Sequence, residues 1–443
     1  MKTHSRARLV LILLSILWIP SIVHADLQDL LSRWQLSMAV EETYDSNVNL
    51  ASRNKKEDFI TTISPGVRFS TLSRSETTRE FRQPSATEEE RYGVDLNFLP
   101  GFVFYAKKTS DNYMSLSGNL NAWYTWERKL TFRVRDSVTR SEEPLEKNYT
   151  SGALPGQVLL GSQDIRAIYV RNVFEPSMEY RFGREDTVSF NYRNNIYRNE
   201  NPDFEDSQEN FLNPRLNYWF DIRNGVSLEY ALTLGNFDRF PDLTGNLVSG
   251  RYTYRFNPRT SIFGGYTFSK RDFEPETVNT VNYQVHTPAF GVEHAFGPTL
   301  SLRAQAGYFW ETQKIGLGES GPLYDIVITQ RAQKTTYTLG LQGGYTEDYF
   351  TADNLGFAKY HQVIGTVTHQ LAQRAALTFS ARYQRPKYND GRVDNIYGIG
   401  GDISYRILRW LNLGFGLGYQ GNNSNRDADY TDYRATFRIT GTY

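Results

Sequence analysis

The last strand-like segment of the chain, Tyr433–Tyr443, alternates strictly between two kinds of side chain. It reads Tyr-Arg-Ala-Thr-Phe-Arg-Ile-Thr-Gly-Thr-Tyr, with aromatic or small apolar groups at odd positions and Arg or Thr at even positions. Because side chains alternate faces along a β-strand, one face of this segment is apolar and the other is polar. Such a strand suits a wall between lipid and water, and it predicts a transmembrane β-barrel of the outer-membrane type.

The amino terminus carries the pattern of a secretory signal peptide. Three basic residues precede an apolar run at positions 9–19, and a small-residue cleavage site ends at Ala25. The run holds only about eleven residues, whereas a membrane-spanning helix needs about 20. We therefore expect residues 1–25 to be a signal peptide. Residues 26–443 are predicted to form a single outer-membrane β-barrel after a short amino-terminal lead-in, exported to the bacterial outer membrane through the general secretory pathway.

Charge and composition exclude several classes of protein. Lys plus Arg total 49 and Asp plus Glu total 49, so removing three basic residues with the leader leaves 49 − 3 = 46 against 49. This balance argues against a nucleic-acid partner, whose phosphates favour a basic surface. The absence of Cys excludes disulfides and Cys-based zinc sites. The 30 Tyr and 27 Phe are typical of the aromatic girdles of a barrel.

Alternating segments recur along the whole chain and indicate its fold class. Apolar residues occupy every second position at 120–126, 188–192, 226–234, 300–310 and 411–419, and Leu116 shares the parity of the first segment. The i, i+2, i+4 spacing fits strands and not helices, and the segments have about the length of a tilted membrane-crossing strand. We predict an all-β fold, a transmembrane antiparallel up-and-down β-barrel of about 20 strands, with 18 strands as the alternative.

Short turns alternate with long polar loops, as in bacterial barrels whose termini lie in the periplasm. This alternation fails once, between Trp310 and Gly343, and it is restored if Leu323–Gln330 is a strand that turns into Thr335–Tyr345. One irregularity remains at Ser73–Glu90, which is long and charged although it falls on the periplasmic side. We expect an insertion or a small plug there, or a local slip of the strand register.

Two motifs near the amino terminus resemble a known family. Glu42–Val48 and then Asp58–Gly66 resemble the start of the putative β-barrel porin type 2 family, and Gly343–Tyr345 and Asn354–Phe357 are later similarities. These are outer-membrane β-barrel proteins associated with exopolysaccharide and PEP-CTERM (exosortase) loci. The resemblance implies a part in polysaccharide export or its organisation at the cell surface. It implies no catalytic residue, because the shared motifs are structural.

The polar face of the strands is where function is expected. Acids on that face, such as Asp95, Asp221, Glu229 and Asp402, look fewer than arginines, and an excess of guanidinium groups in a channel would favour anions. Aromatic rings on the same face could stack against sugars. The alternative is that the arginines pair with interior acids and that the tryptophans fill the lumen. The candidate lumen-lining residues are Arg133, Arg135, Arg193, Arg215, Arg251, Arg255, Arg303, Arg382, Arg406, Arg434, Arg438, Trp123 and Trp219.

The remaining motifs indicate structure more than chemistry. Asp45, Ser46 and Asn47 favour a turn through side-chain bonds to the backbone, with Ca²⁺ coordination as the alternative. The paired histidines, eight residues apart in each pair, fit anchors at the two membrane boundaries better than one metal site. No Gly-x-Ser-x-Gly or His-Glu-x-x-His spacing occurs. We predict no catalytic residue, no cofactor and no metal, and a protein that is not an enzyme.

The predicted function is that of a porin-like outer-membrane β-barrel that takes part in exopolysaccharide export or in the passage of anionic solutes. The alternatives are a non-conducting structural or adhesive barrel with surface loops, and an outer-membrane enzyme. Expected partners are outer-membrane lipid and lipopolysaccharide, the barrel-assembly machinery, polysaccharide and periplasmic export components. Phe437, Ile439 and Tyr443 share the apolar face of the last strand and are the predicted assembly signal, so deletion of Tyr443 should hinder assembly.

Overall fold

A computed structural model describes residues 33–71, 91–142, 167–276, 280–314, 318–350, 356–426 and 428–443. The predicted signal peptide and the segment Ser73–Glu90 lie outside the described residues. Among the residues described, no helix is long and apolar enough to cross a bilayer.

Twenty antiparallel strands form one closed sheet in which each strand pairs with the next and β1 pairs with β20. The prediction of about 20 strands is confirmed, and the 18-strand alternative is wrong because the first hairpin belongs to the wall. In chain order the strands are β1 Trp34–Asp45, β2 Asp58–Ser70, β3 Tyr92–Tyr105, β4 Tyr113–Trp126, β5 Leu130–Ser141, β6 Tyr169–Arg181, β7 Thr187–Asn199, β8 Ser207–Trp219, β9 Asn224–Phe237, β10 Asp242–Asn257, β11 Thr260–Glu274, β12 Tyr283–Ala295, β13 Leu300–Gln313, β14 Ser320–Arg331, β15 Thr335–Asp348, β16 Gly356–Ala372, β17 Ala375–Tyr388, β18 Asp394–Leu408, β19 Leu411–Ser424 and β20 Tyr430–Thr442.

The connections differ between the two ends of the barrel. At the end that holds both termini of the closed sheet, turns such as 258–259, 332–334 and 373–374 are very short, whereas loops such as 46–57 and 200–206 at the other end are longer. The strand inferred at Leu323–Gln330 is confirmed as β14. Short turns mark the periplasmic end of bacterial barrels, so the longer loops lie at the extracellular end.

The alternation of side chains divides outside from inside as the sequence predicts. On β20, Tyr433, Phe437 and Ile439 are exposed on the outer surface, as is Tyr443 directly after the strand, and Thr436 lies on the inner surface. The paired strand β19 repeats the pattern, with Phe415 directly opposite Phe437. Exposed apolar side chains all round a wall with no open sheet edge match a hydrocarbon environment, where every backbone polar group must be paired internally.

A buried ionic cluster closes the seam between the first strand and the last. Arg434 Nη2 lies 2.5 Å from Asp45 Oδ2, and Arg434 Nε lies 3.0 Å from Asp432 Oδ2. Both carboxylates are fully buried. Asn47 Nδ2 donates hydrogen bonds to the carbonyl oxygens of Ala51 and Thr431, each at 2.9 Å. The turn predicted at Asp45-Ser46-Asn47 therefore also connects β1 to β20 at the extracellular end of the seam.

Candidate functional site

All of the predicted lumen arginines lie on the inner face of the wall, opposite the exposed apolar side chains. On β10, for example, Arg251 and Arg255 alternate with Tyr252 and Phe256, and both aromatic side chains are exposed on the outside. The inner face therefore carries the charge that the sequence places there. This placement makes the lumen the candidate functional site.

Most of these arginines are neutralised by acids on neighbouring or nearby strands. Arg193 makes a two-pronged pair with Glu209 at 2.7 and 3.1 Å. The other pairs are Arg215–Glu229 at 3.0 Å, Arg251–Glu293 at 3.0 Å, Arg255–Glu185 at 2.6 Å, Arg303–Asp325 at 3.9 Å, Arg434 with Asp45 and Asp432, and Arg438 with Glu41. For these seven arginines, the structure agrees with the alternative prediction that interior arginines pair with interior acids and form a ladder of ion pairs.

Most of the acids in this ladder are not evident from the sequence pattern. Glu209, Glu293 and Asp325 lie on the inner face of their strands, and Glu185 projects from a periplasmic turn to an arginine 70 positions later. The hydrogen bond from Arg255 and its nearby charge hold the pKa of the Glu185 carboxyl below its ordinary value. The apparent shortage of interior acids is thus much reduced once the register of the strands is known.

Three of the candidates differ from this pattern. Among the described residues, Arg133 and Arg135 on β5 and Arg406 on β18 make no salt bridge within 4 Å. The register neighbour of Arg135 is Glu175, yet the two side chains form no such pair. Arg382 lies on the inner face of β17 beside Gly398, within 3.4 Å of the place that a Cβ atom would take there. Arg133, Arg135 and Arg406 therefore carry positive charge without a salt bridge among the described residues, in the half of the lumen nearer the periplasm.

Both candidate tryptophans are packed against the wall. Trp123 lies over Gly93, its partner on the adjacent strand, and only 7% of Trp123 is exposed. Trp219 lies over Gly225 in the same way, and its ring is also covered by the Arg255 guanidinium, 3.5 Å from the ring centroid. Large rings that cover cross-strand glycines pin the register of a sheet. The arrangement favours the packing alternative over a sugar-stacking track at these two residues.

An aromatic cluster narrows the extracellular mouth on one side. We call it the mouth cluster; its buried residues are Leu243, Phe273, Tyr283, Val285, Phe309, Tyr349 and Phe357. The mouth cluster forms because the β14–β15 pairing ends at Tyr324 and Gly343, whereas the extracellular end of β15 remains paired only with β16. Described residues at this end of the β15–β16 pair, Tyr349 and Phe357 among them, pack against the inner face of β11–β13.

Polar contacts also hold the extracellular end of β15 in the mouth cluster. Arg271 Nη2 lies 2.6 Å from Glu347 Oε2, and the Tyr283 hydroxyl lies 2.7 Å from that of Tyr349. Burial raises the pKa of the Tyr349 hydroxyl, which keeps it a hydrogen-bond donor. These contacts join the extracellular end of β15 to β12 and β11, which lie three and four strands away in the barrel wall.

Two clefts open on the inner face between β10 and β15. One, of about 440 Å³, is lined by Arg255, Ser261, Glu293 and Arg303, and the other, of about 460 Å³, by Arg251, Gln305 and Glu347 among others. Their volumes are in the range of small-molecule sites, and their linings combine charges with hydroxyl and amide groups. Such a surface can hold hydrated polar solutes at the wall.

The histidines lie on the outer parity of their strands, as expected for boundary anchors. His286 stacks on Trp310 and His361 on Tyr324 near the extracellular side, whereas His369 Nδ1 lies 2.7 Å from Thr335 Oγ1 near the periplasmic side. In the described part of the chain, no three His, Cys, Asp or Glu side chains are grouped to hold a metal ion. At the Asp45 turn, where Ca²⁺ was the alternative, the carboxylate pairs with Arg434.

The carboxy-terminal part of the sequence matches a family of barrel proteins. Residues 231–441 match the family described as putative beta-barrel porin 2, so the resemblance seen in the sequence is confirmed over this range. The motifs at Glu42–Val48 and Asp58–Gly66 lie outside the matched residues. No curated protein matches the sequence significantly.

Solved outer-membrane barrels share the fold. The siderophore receptor PirA of Pseudomonas aeruginosa has a TM-score of 0.50 and 10% identity, over 93% of this chain and 80% of that chain. A mutant of the ferric enterobactin receptor PfeA of the same organism, in complex with enterobactin, has a TM-score of 0.51 and 9% identity, over 93% and 81%. The family match and the fold together indicate a porin-like β-barrel of the bacterial outer membrane.

Proposed function

We propose that the barrel passes anionic solutes through the outer membrane, and that these solutes include the acidic saccharides of an exopolysaccharide. The match of residues 231–441 to a family of barrel porins supports a role in passage. The observation that supports this cargo is the pair Arg133 and Arg135, which face the lumen on one strand and lack a salt bridge within the described chain. Paired charges largely cancel at a distance, whereas unpaired guanidinium groups attract anions in a confined channel and bind carboxylates well. Arg406 adds a third such charge on a distant part of the wall.

Reversal potentials in planar bilayers test the anion preference. In a KCl gradient we expect the native barrel to favour Cl⁻, and the double variant Arg133→Gln with Arg135→Gln to lower the Cl⁻ to K⁺ permeability ratio roughly twofold, because charge at a pore wall sets the local ion concentration. The matched control is Arg215→Gln with Glu229→Gln, which removes a neutral pair and should leave the ratio unchanged. A native channel that prefers cations would contradict the proposal.

One observation favours a second candidate, a barrel that does not conduct and serves as a structural or adhesive platform. The mouth cluster brings Phe237 of β9 and Phe350 beyond β15 to 5.4 Å between ring centroids, so it reaches across several strands of the extracellular opening. The same bilayer recordings separate the two candidates, since a platform would give no stable current steps.

The outer face of β20 supports a role for the barrel-assembly machinery as a partner. Phe437, Ile439 and Tyr443 lie on the outer surface, and the Tyr443 backbone N–H donates to the Leu36 carbonyl at 2.7 Å. We propose that the barrel-assembly machinery reads this apolar face before β20 meets β1. The exposed aromatics of the same surface would afterwards contact lipid and lipopolysaccharide.

A further inference from the structure

The inner face of β19 carries neither charged nor apolar side chains. Its inward residues are Asn412, Gly414, Gly416, Gly418, Gln420 and Asn422. On β18 the inward residues Gly398 and Gly400 lie opposite Gln420 and Gly418. We call the strip formed by Gly398, Gly400, Gly414 and Gly418 the glycine groove; the Asp402 side chain lies over Gly416 within it.

The glycine groove is open to the lumen at Gly400 and Gly418, whereas the Arg382 side chain borders Gly398 at 3.4 Å from an added Cβ. A Cβ atom added at Gly418 would have no heavy atom within 4 Å, and one at Gly400 would have only Ser380 Oγ at 3.6 Å and a backbone oxygen at 3.8 Å. Gly93 and Gly225, by contrast, are covered by the rings of Trp123 and Trp219. Glycine in a strand costs about 0.5–1 kcal/mol relative to alanine, and a bare glycine strip often marks the close approach of a ligand.

Amide side chains with unused polar atoms lie at the extracellular end of the groove. Gln384 is 1% exposed, and neither its Nε2 nor its Oε1 has a hydrogen-bond partner in the described part of the chain. The same holds for Asn422 Oδ1 and Gln420 Nε2. The register connects these residues, since Gln384 pairs with Ile396, Ile396 with Asn422, and Gln420 with Gly398.

These orphan atoms call for partners that can both donate and accept hydrogen bonds. A buried polar group without a partner costs about 1–3 kcal/mol, so several on adjacent strands are a large penalty for a chain to retain. Carboxamides offer donors and acceptors without charge, and sugar hydroxyls are complementary to both.

We propose that the glycine groove and its amide end form a saccharide-binding track on the lumen wall, in which sugar rings lie against the bare backbone and sugar hydroxyls bind the amides. The proposal rests on the proposed passage of saccharides and names their binding site. From Gly418 to Asn422, beyond the Asp402 side chain that covers Gly416, β19 extends about 13 Å at about 3.3 Å a residue. The track therefore takes an extended oligosaccharide and not a single sugar.

Binding to the full barrel in detergent micelles tests the track by calorimetry, with maltohexaose as a neutral probe and hexagalacturonate as an acidic one. We expect at least one probe to bind. Gly418→Leu, whose Cβ would meet no heavy atom within 4 Å and whose side chain would fill the groove, should abolish binding. The matched control is Gly365→Leu, because Gly365 also has no heavy atom within 4 Å of an added Cβ but lies on the outer face of β16. This control should bind like the native protein.

Gln384→Met separates a binding role from a structural one. It should weaken binding about tenfold by removing one or two hydrogen bonds, yet leave resistance to urea unchanged or higher, because it removes an unsatisfied buried amide. Failure of both probes to bind, or native affinity in Gly418→Leu, would overturn the track. Bilayer recordings on the same samples keep the two proposals apart: a barrel that conducts without binding overturns only the track, and one that binds without conducting overturns only the passage.

Discussion

Replacing Arg434 with methionine is expected to lower the free energy of unfolding by about 3–5 kcal/mol, the usual cost of removing one partner from a buried ion pair. The variant leaves Asp45 and Asp432 facing each other, and both carboxylates are fully buried at the seam. The loss would fall on the β1–β20 pairing that closes the barrel. Urea titration of the folded barrel in lipid vesicles, followed by the heat-modifiable shift on gels, measures it.

Arg438 supplies the control on the same strand. It pairs with Glu41 across the same seam, but its side chain is 58% exposed, and an exposed pair contributes about 0–1 kcal/mol. Arg438→Met should therefore cost far less than Arg434→Met. Adding Asp45→Asn and Asp432→Asn to Arg434→Met should recover much of the stability, since the buried charges are then gone. Equal stability of the two arginine variants would show that the seam does not depend on this cluster.

An arginine at Phe415 is expected to destabilise the barrel by about 2–4 kcal/mol, the cost of a cation on the lipid face near the bilayer midplane. Phe415 is the central member of the outward series of β19 and lies opposite Phe437 on β20. The same urea titration in vesicles measures the loss. Burial of a cation in hydrocarbon is the physical cause of this loss of stability.

The lumen face of the same strand provides the comparison. Asn412 faces inward, so Asn412→Arg should cost less than about 1 kcal/mol, because lumen substitutions meet water and change selectivity more than stability. If both arginine variants lost the same stability, the division of β19 into a lipid face and a lumen face would be wrong.

The alternation of polar and apolar residues along the sequence was enough to predict the strands of the barrel wall and their two faces. Alternation at Tyr433–Tyr443 gave the two faces of β20, and turn parity alone located the strand at Leu323–Gln330. Both are properties of neighbouring residues, and a period of two fixes the side of the wall on which a residue lies. The inward position of Arg255 and the outward position of Phe415 follow from the same period.

Contacts between distant strands could not be predicted in this way. The pairs Arg255–Glu185 and Arg434–Asp45 depend on strand register and on closure of the ring, which join residues 70 and 389 positions apart. The mouth cluster depends on where β15 leaves β14, and nothing in the alternation marks that point. The glycines of β19 were visible in the sequence, but their openness is visible only once the neighbouring side chains are placed.

Thiol accessibility at two adjacent residues of β18 tests the central claim most directly. The chain has no cysteine, so single replacements report without background. Ile403 and Ser404 are both exposed, the first on the outer surface and the second toward the lumen. In vesicles, a charged water-soluble thiol reagent should modify Ser404→Cys rapidly and leave Ile403→Cys protected, while lipid-borne quenchers should reach a fluorophore only at position 403. Equal modification at the two positions would contradict a wall with lipid outside and water inside.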